Sequence, residues 1–295
     1  MARVFVTREL PGGALDRLRQ EHDVEVHAGS LPPTREELLA GVREAEGLVC
    51  LLTDAIDAEL IAAAPRLRAI SNYAVGADNI DREAAEERGI AVGTTPGVLT
   101  EATADLAWAL LLAAARRLPE AERAVERGDW QTWEPAGWLG QDVHGATLAI
   151  VGPGRIGEAV ARRAAGFEME VLRIRRGDDL DAALEQADFV SIHCPLTNET
   201  RGLIGEAALR AMKPTAVLVN TARGPIVDQA ALKRALEEGW IAAAALDVTD
   251  PEPLSPDDPL LSAPNLLVVP HIGSATHSAR ERMADLAVGN LLGAL

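Results

Sequence analysis

The feature that most constrains the fold of this chain is a glycine-rich turn between an apolar strand and a helix. Residues Thr147–Val151 form a mostly aliphatic run that leads into the sequence GPGRIG and then into a helical pattern over Glu158–Ala165. In such a turn the first glycine permits the tight bend, the second lets a pyrophosphate approach the backbone, and the third lets the helix pack on the strand. The helix N-terminus adds free N–H donors and partial positive charge. The pattern predicts a dinucleotide-binding turn made of Gly152, Pro153, Gly154, Arg155, Ile156 and Gly157.

Short β-rich runs alternate with helical patterns along the whole chain, which predicts parallel βαβ units. A long apolar helix that opens on a threonine, Thr100–Arg117, and a loop with no strand or helix signal, Gly128–Gly145, divide the runs into two sets. Helical patterns such as Thr34–Glu46 and Asp57–Ala64 lie within the first set. The second set has the six strands of a complete dinucleotide-binding sheet. The first set is Val4–Thr7, Val24–His27, Leu48–Leu52, Leu67–Tyr73 and Ile90–Gly93, and the second is Thr147–Gly152, Glu170–Ile174, Phe189–Cys194, Ala216–Asn220, Ala242–Val248 and Leu266–Pro270.

A last helical pattern, Thr276–Leu291, follows the final strand, and we expect it to pack back on the first domain. The chain is therefore predicted to be an α/β protein with two Rossmann-like or flavodoxin-like parallel-sheet domains. The first domain is discontinuous and comprises residues 1–97 and 276–295, and the second comprises residues 98–275.

The charge and composition exclude several classes of function. The formal net charge of −17 repels nucleic acid and anionic membrane surfaces, so no partner of either kind is expected. The apolar segment near Leu106–Ala115 is too short to span a bilayer, and the N-terminus has no signal-peptide pattern. Cys50 and Cys194 lie in apolar runs and are interpreted as reduced, buried thiols. We expect a cytoplasmic protein, and no spacing of His, Cys, Asp or Glu predicts a metal site.

The residues after the second strand of this sheet indicate the cofactor. Arg175 and Arg176 follow Gly157 by 18 and 19 residues, where a site specific for NAD tends to place an acidic residue. Two guanidinium groups suit a 2′-phosphate, so NADP(H) is favoured over NAD(H). Two alternatives stay open, because the arginines could form a solvated basic turn and Asp178 or Asp179 could bind the ribose of NAD(H).

Three residues with catalytic chemistry follow later strands of the second set. Arg223, Glu252 and His271 lie near the carboxyl ends of these strands, where ligands bind in a doubly wound sheet. Arginine binds a carboxylate through charge-assisted bonds, and histidine can give a proton to a substrate or take one from it. A glutamate on the other ring nitrogen fixes the tautomer and stabilises the charged ring. Taken alone each residue could be structural, but together they predict a hydride-transfer site for a small keto acid.

The motifs together resemble the D-isomer-specific 2-hydroxyacid dehydrogenases, and within them the glyoxylate/hydroxypyruvate reductases. The resemblance covers nearly the whole chain, in the order of the family's motifs. Two features differ from the family: the segment between Arg176 and Asp188 is short and barely permits a helix, and the chain stops soon after the last helix. The matching segments are VGADNID (Val75–Asp81), TPGVLTEATADLAWALLLAAAR (Thr95–Arg116), VGPGRIG (Val151–Gly157), CPLTNET (Cys194–Thr200), MKPTAVLVNTARGPIVD (Met212–Asp228), LDVTDPEP (Leu246–Pro253) and PHIGSAT (Pro270–Thr276).

The resemblance implies reduction of glyoxylate or hydroxypyruvate by NAD(P)H at a site in the cleft between the two domains. It implies that His271 donates the proton with Glu252 as its partner, and that Arg223 binds the carboxylate and the carbonyl. The substrate-binding residues would be Leu52, Val75, Gly76, Trp133, Arg223 and His271, with the carboxylate on the backbone N–H groups of Val75 and Gly76. Further cofactor contacts would come from Thr103, Cys194, Pro195, Thr200, Thr221, Ala222, Arg223, Asp247, His271 and Gly273.

The resemblance also implies a homodimer, whose two-fold interface is crossed by the loop that carries Trp130, Trp133 and Trp138. Simple packing is an equally good interpretation of these tryptophans. Two alternatives for the function remain. One is another enzyme of the same family, of the phosphoglycerate or formate dehydrogenase type. The other is a nucleotide-sensing protein of the corepressor type on the same fold, which can retain the three catalytic residues.

Overall fold

A computed structural model describes residues 1–295 and divides them into two compact units. The first unit comprises Met1–Leu99 and Ser274–Leu295, and the second comprises Thr100–Gly273. The predicted division, after residue 97 and after residue 275, lies close to these bounds. Each unit contains one sheet in which every strand pair is parallel, so the predicted α/β class with two parallel sheets is confirmed.

The sheet of the first unit has five strands in the order β2-β1-β3-β4-β5. Its helices include the C-terminal one, which returns to this unit from the far end of the chain. The strands are β1 Arg3–Val6, β2 Asp23–Val26, β3 Gly47–Cys50, β4 Ala69–Asn72 and β5 Ala91–Gly93, and the helices are α1 Ala14–Glu21, α2 Arg35–Val42, α3 Ala58–Ala63, α4 Arg82–Glu87 and α11 His277–Ala294.

The sheet of the second unit has six strands, as predicted, in the order β11-β10-β9-β8-β6-β7. Counted within the unit this is the flavodoxin-like order 2-1-3-4-5 with a sixth strand added at the edge, and not the 3-2-1-4-5-6 order of the classic dinucleotide-binding sheet. The strands are β6 Thr147–Val151, β7 Glu170–Ile174, β8 Phe189–Ile192, β9 Val217–Asn220, β10 Ala243–Leu246 and β11 Leu266–Val268, and the helices are α5 Thr100–Ala115, α6 Leu118–Glu126, α7 Arg155–Ala164, α8 Leu180–Gln186, α9 Glu206–Ala211 and α10 Gln229–Glu237.

Both units bury aliphatic side chains between sheet and helices. In the second unit α5 and α7 cover one face of the sheet, where Trp108 stacks on Phe167 with ring centroids 4.7 Å apart and donates its indole N–H to the carbonyl of Val160 at 3.0 Å. In the first unit Phe5, Leu48 and Ile70 lie in the core, at 4 % exposure or less. No helix is both long and apolar enough to cross a membrane.

Several strands are predicted to end one or two residues beyond the residue at which they end in the structure. The run Ala242–Val248, for example, contains the shorter strand β10 at Ala243–Leu246. Asp247 and Val248, which follow β10, are buried although they have left the ladder, so burial extends the predicted strand beyond the paired residues. The short segment after Arg176 does form a helix, α8, because Asp179 accepts a hydrogen bond from the N–H of Ala182 and caps its first turn. No helix or strand lies between Arg127 and Thr147, as predicted for that loop.

Candidate active site

The glycine turn joins β6 to α7, and each of its three glycines meets a different constraint. Gly152 has a φ of +87°, and a Cβ there would lie 2.5 Å from the backbone nitrogen of Cys194. A Cβ on Gly157 would lie 2.6 Å from the carbonyl oxygen of Gly152, where the helix packs on the strand. A Cβ on Gly154 would meet no atom within 4 Å. Gly152 and Gly157 are therefore required by the protein's own packing, whereas Gly154 leaves its backbone open to a ligand.

The residues present fit a dinucleotide. The turn lies between β6 and β8, at the point where the strand order reverses, and this is where open α/β sheets bind their ligands. Gly154 caps α7 without a side-chain bond, so the first N–H groups of that helix are not covered by a capping side chain. Arg155 and Ile156 supply these N–H groups, and the exposed Arg155 adds positive charge.

The arginines after β7 lie on the surface in a turn closed by acidic residues. Asp178 accepts a hydrogen bond from the N–H of Arg175 at 2.7 Å, and Asp179 caps α8. The side chain of Arg176 is 85 % exposed and forms an ion pair with Glu199. Both aspartates therefore have a structural partner, while the two guanidinium groups remain at the edge of the sheet.

The loop after β8 carries three predicted cofactor residues. Cys194 is half-buried and its backbone lies against Gly152, so these two predicted residues are neighbours. The hydroxyl of Thr200 donates to the carbonyl of Pro195 at 2.7 Å, and the N–H of Thr197 donates to that hydroxyl at 2.8 Å. Thr200 shapes the loop through these bonds.

Arg223 lies in the loop that follows β9, and the last residue of the strand holds this loop. The amide of Asn220 donates to the carbonyl of Arg223 at 2.8 Å and accepts from the N–H of Ala222 at 3.0 Å. Gly224 packs so closely on the loop after β10 that a Cβ would lie 2.0 Å from the carbonyl oxygen of Thr249. Close packing thus brings the arginine loop beside the loop that carries Glu252.

Glu252 and His271 form a hydrogen-bonded pair. Nδ1 of His271 lies 2.8 Å from Oε2 of Glu252, and the N–H of Thr249 donates to the other carboxylate oxygen at 3.0 Å. His271 adopts a left-handed backbone conformation, with a φ of +52°. With Nδ1 directed to the carboxylate, Nε2 is left to act on a substrate. The pair is partly exposed, at 27 % for His271 and 28 % for Glu252.

Asp247, at the end of β10, holds the loop that carries His271. Its two carboxylate oxygens accept from the N–H groups of Ile272 at 2.6 Å and Gly273 at 2.8 Å, and its carbonyl accepts from the N–H of His271 at 2.9 Å. A Cβ on Gly273 would lie 3.0 Å from this carboxylate and 3.3 Å from the methyl group of Thr103. The predicted cofactor residues Thr103, Asp247 and Gly273 are thus neighbours.

The two carboxylates differ in their electrostatics. Burial tends to raise the pKa of Glu252, but the bond from His271, the N–H of Thr249 and the charge of Arg223 outweigh it, so this pKa is lowered. Burial is the dominant effect at Asp247 and raises its pKa, although the N–H of Ile272 and the charge of His271 oppose the shift. Glu252 is therefore held as the anion that a protonated histidine needs, and Arg223 adds to that field.

Four further predicted substrate residues lie on other loops of the chain. Leu52, Val75 and Gly76 belong to the first unit, in the loops after β3 and β4, and Val75 is 40 % exposed. Trp133 lies in the loop after α6 and is 79 % exposed. Thr221 and Ala222 lie between β9 and Arg223, and Thr221 is buried.

Sequence reasoning missed His193, which follows β8 directly. Its ring nitrogens lie 2.8 Å from the hydroxyl of Ser191 and 3.4 Å from the hydroxyl of Thr221. Burial lowers its pKa to about 3, so the ring is neutral at physiological pH. A histidine next to Cys194, at the carboxyl end of a central strand, was the signal that could have identified it.

Fold and site together define an α/β protein that binds a dinucleotide and carries a histidine–glutamate pair and an arginine beside it. The family model for the NAD-binding domain of the D-isomer specific 2-hydroxyacid dehydrogenases matches residues 108–273. The chain belongs to this family, and it is an NAD(P)-dependent oxidoreductase.

Individual relatives agree with this assignment. The chain is 52 % identical to a glyoxylate reductase of Korarchaeum cryptofilum, over 98 % of this chain and 92 % of the relative. Among solved structures it is similar to the TT0316 protein of Thermus thermophilus, with a TM-score of 0.93, 52 % identity and coverage of 98 % and 96 %. It is also similar to an NADPH-dependent glyoxylate/hydroxypyruvate reductase of Sinorhizobium meliloti, solved with NADP and malonate, with a TM-score of 0.84, 34 % identity and coverage of 99 % and 93 %.

Proposed function

We propose that this protein reduces glyoxylate or hydroxypyruvate to the corresponding 2-hydroxy acid with a nicotinamide cofactor. The observation that carries the proposal is the pair of His271 and Glu252 beside the loop of Arg223, at the strand ends of a dinucleotide-binding sheet. Relatives named glyoxylate reductase, about half identical to this chain over nearly its whole length, support the substrate class.

The roles of the side chains follow from their chemistry. The cofactor, bound at the turn from Gly152 to Gly157, supplies the hydride for the carbonyl carbon. Arg223 holds the carboxylate and polarises the carbonyl through charge-assisted hydrogen bonds. His271, with Nδ1 on Glu252, delivers its proton from Nε2 to the carbonyl oxygen. Glu252 fixes the ring and stabilises its charged form.

A panel of 2-keto acids tests this function directly. We expect kcat/KM to be highest for glyoxylate or hydroxypyruvate and lower for pyruvate and for phosphohydroxypyruvate, with both cofactors measured for each acid. A preference for phosphohydroxypyruvate would favour a phosphoglycerate dehydrogenase instead. Tight cofactor binding without turnover of any acid would favour a nucleotide-sensing protein.

We propose further that NADP(H) is preferred over NAD(H). Arg175 and Arg176 supply positive charge after β7, and Asp178 and Asp179 are occupied by the Arg175 N–H and by the cap of α8. An acidic residue that binds a ribose 2′-hydroxyl is the usual mark of an NAD site. Here Asp178 and Asp179 each accept a backbone N–H bond within their own turn or helix.

Arg176→Ala tests this preference. The variant removes a guanidinium that can pair with a 2′-phosphate, so KM for NADPH should rise about 10-fold or more while KM for NADH changes little. Arg173→Ala is the matched control, because Arg173 lies within β7 and is held by Glu158 at 3.0 Å. Equal changes for both cofactors in Arg176→Ala would contradict the preference.

We also propose that two copies of the chain associate through α6 and the loop that follows it. Leu118 and Val125 on the helix, and Trp130, Trp133 and Leu139 on the loop, are all more than half exposed, which is unusual for apolar side chains of this size. Sedimentation equilibrium should give twice the 31.2 kDa mass of one chain. A monomer at micromolar concentration would contradict the proposal, and Trp133 would then be a surface residue.

A further inference from the structure

The loop that follows β4 in the first unit is fixed from two sides by groups of the protein itself. The N–H of Thr95 donates to the carbonyl of Ala74 at 2.8 Å, and the side-chain amide of Asn72 donates to the carbonyl of Gly76 at 2.8 Å. Tyr73 begins the loop with an N–H bond to the carbonyl of Cys50 at 2.7 Å. The peptides Ala74–Val75 and Gly76–Ala77 are therefore each held by a hydrogen bond to their carbonyl group.

These hydrogen bonds determine where the N–H groups of the loop point. In a trans peptide the C=O of one residue and the N–H of the next point in opposite directions. The Ala74 carbonyl is directed at Thr95, so the N–H of Val75 points away from it. The peptide that carries the N–H of Gly76 lies between these two hydrogen-bonded peptides and is held at both ends. Gly76 has no Cβ and would otherwise be free to rotate, so the bond from Asn72 is what restricts it.

Asn72 is itself held rigidly. It is the last residue of β4, its side chain is fully buried, and its amide also donates to Oδ1 of Asn79 at 2.8 Å. The thiol of Cys50 lies 3.5 Å from its side-chain oxygen. Asn79 in turn donates to the carbonyls of Leu51 and Asp54, so the network joins the loops after β3 and β4.

The second unit also has an asparagine at a strand end that donates to a carbonyl of the following loop. Asn220 is the last residue of β9, is fully buried, and donates through its amide to the carbonyl of Arg223. β4 and β9 are the fourth strands of their sheets, so Asn72 and Asn220 occupy equivalent positions. The loop that Asn220 fixes carries the arginine proposed to bind the substrate.

We propose that Asn72 is a positioning residue for substrate binding, because its bond to the Gly76 carbonyl restricts the peptide that carries the N–H of Gly76, beside the N–H of Val75 that the Thr95 bond orients. The proposal rests on the proposed function and on the family resemblance, which implies that the carboxylate of a small 2-keto acid binds these N–H groups. Asn72 acts through Gly76 and does not contact the substrate.

Asn72→Asp in the full chain tests the proposal, because it keeps the shape of the side chain and removes both N–H donors. We expect KM for glyoxylate and the inhibition constant of oxamate to rise about 10-fold, with kcat changing less than KM and Kd for NADPH staying within about twofold. Asn290→Asp is the matched control. Asn290 donates to the carbonyl of Thr94 at 3.0 Å and to the hydroxyl of Ser71 at 3.3 Å in the same unit but makes no bond to the loop from Tyr73 to Gly76. It should leave KM for glyoxylate unchanged.

A second measurement separates this proposal from the proposed function. Hydrogen exchange of the Ile80 amide, which donates to the carbonyl of Ala77 at 3.1 Å next to Gly76, should become faster in Asn72→Asp and not in Asn290→Asp. If the aspartate variant does not fold, Asn72→Ser, which buries no charge, should show the same two effects.

Unchanged exchange of the Ile80 amide, or an unchanged KM for glyoxylate in an active enzyme, would overturn the role of Asn72. Faster exchange in a protein that turns over no keto acid would support the conclusion that Asn72 fixes the loop, and it would overturn the proposed function alone.

Discussion

The two units of this molecule share one strand order and differ at the point where that order reverses. In both, the first strand lies between the second and the third, so β1 in the first unit corresponds to β6 in the second. In the first unit the hydroxyl of Thr7, after β1, donates to the buried carboxylate of Asp54 at 2.5 Å, and the N–H of Leu51 donates to the same oxygen at 2.8 Å. Side chains of the first unit therefore occupy the point at which its strand order reverses.

In the second unit the backbone of the glycine turn lies at the corresponding point. Residues 152–154 alone separate β6 from α7, whereas residues 7–13 separate β1 from α1. Glycine at 152 and 157 lets strand, turn and helix approach closely, and the space where a Cβ of Gly154 would lie is open. The comparison shows that topology provides the location, while the residues of one connection decide whether a nucleotide can occupy it.

The largest expected effect tests whether the chemistry belongs to the second unit. His271→Asn removes the proton donor, so kcat should fall by about 10²–10⁴-fold. Kd for NADPH should change little, because the glycine turn is untouched. Stopped-flow turnover and a fluorescence titration measure the two quantities. Near-normal turnover would exclude His271 as the donor, and the contrast with Asn72→Asp, which acts on KM, would be lost.

A second prediction compares the glycines that cap the helix after the first strand of each unit. Gly154 caps α7 and Gly13 caps α1, and an added Cβ would meet no atom within 4 Å at either position. Gly154→Ala should raise Kd for NADPH by about 10-fold, because the methyl group occupies the side that the pyrophosphate approaches. Gly13→Ala should leave Kd unchanged. Calorimetric titration measures both, and equal effects would contradict the assignment of the nucleotide site to this turn.

The smallest expected effect concerns stability and its dependence on pH. The pKa of Glu252 is lowered in the folded protein, so its ionised form stabilises the fold above the ordinary glutamate pKa of about 4.3, and the contribution is lost as pH falls through the lowered value. Glu252→Gln should therefore reduce the free energy of unfolding by about 1 kcal/mol at pH 7 and by less below pH 4. Urea unfolding at both pH values measures this.

Asp57→Asn provides the matched control in the first unit. The N–H of Leu60 and the guanidinium of Arg35 lower the pKa of Asp57, so the sign of the pH dependence is the same. Only the Glu252 variant should also lose kcat. A stability difference that grows at acid pH would contradict the direction of both shifts.

The sequence was a good guide to the elements and to the residues that bear chemistry. Both sheets, the glycine turn, the helix from Thr100 and the loop after α6 follow from hydrophobic periodicity and from glycine. The pairing of His271 with Glu252 was expected from the family's motifs, and the structure brings their side chains to hydrogen-bond distance.

The polar residues that hold the loops were not predictable in this way. Asn72, Asn220 and His193 look like ordinary strand ends, and the bonds they make are to residues of nearby strands and loops that the sequence alone does not bring together. The choice between a Rossmann-like and a flavodoxin-like strand order stayed open for a similar reason, because β-strand patterns do not reveal which strands are neighbours. The ion pair of Arg176 with Glu199 joins two loops that are separate in sequence.

The C-terminal helix has a consequence for how the chain is made. α11 packs on β3, β4 and β5, with Ala287 and Val288 fully buried and Asn290 bonded to the carbonyl of Thr94. A ribosome therefore releases every residue of the second unit before it supplies the helix that closes the core of the first. Nascent chains should acquire protease resistance in the second unit first, although the first unit begins the sequence.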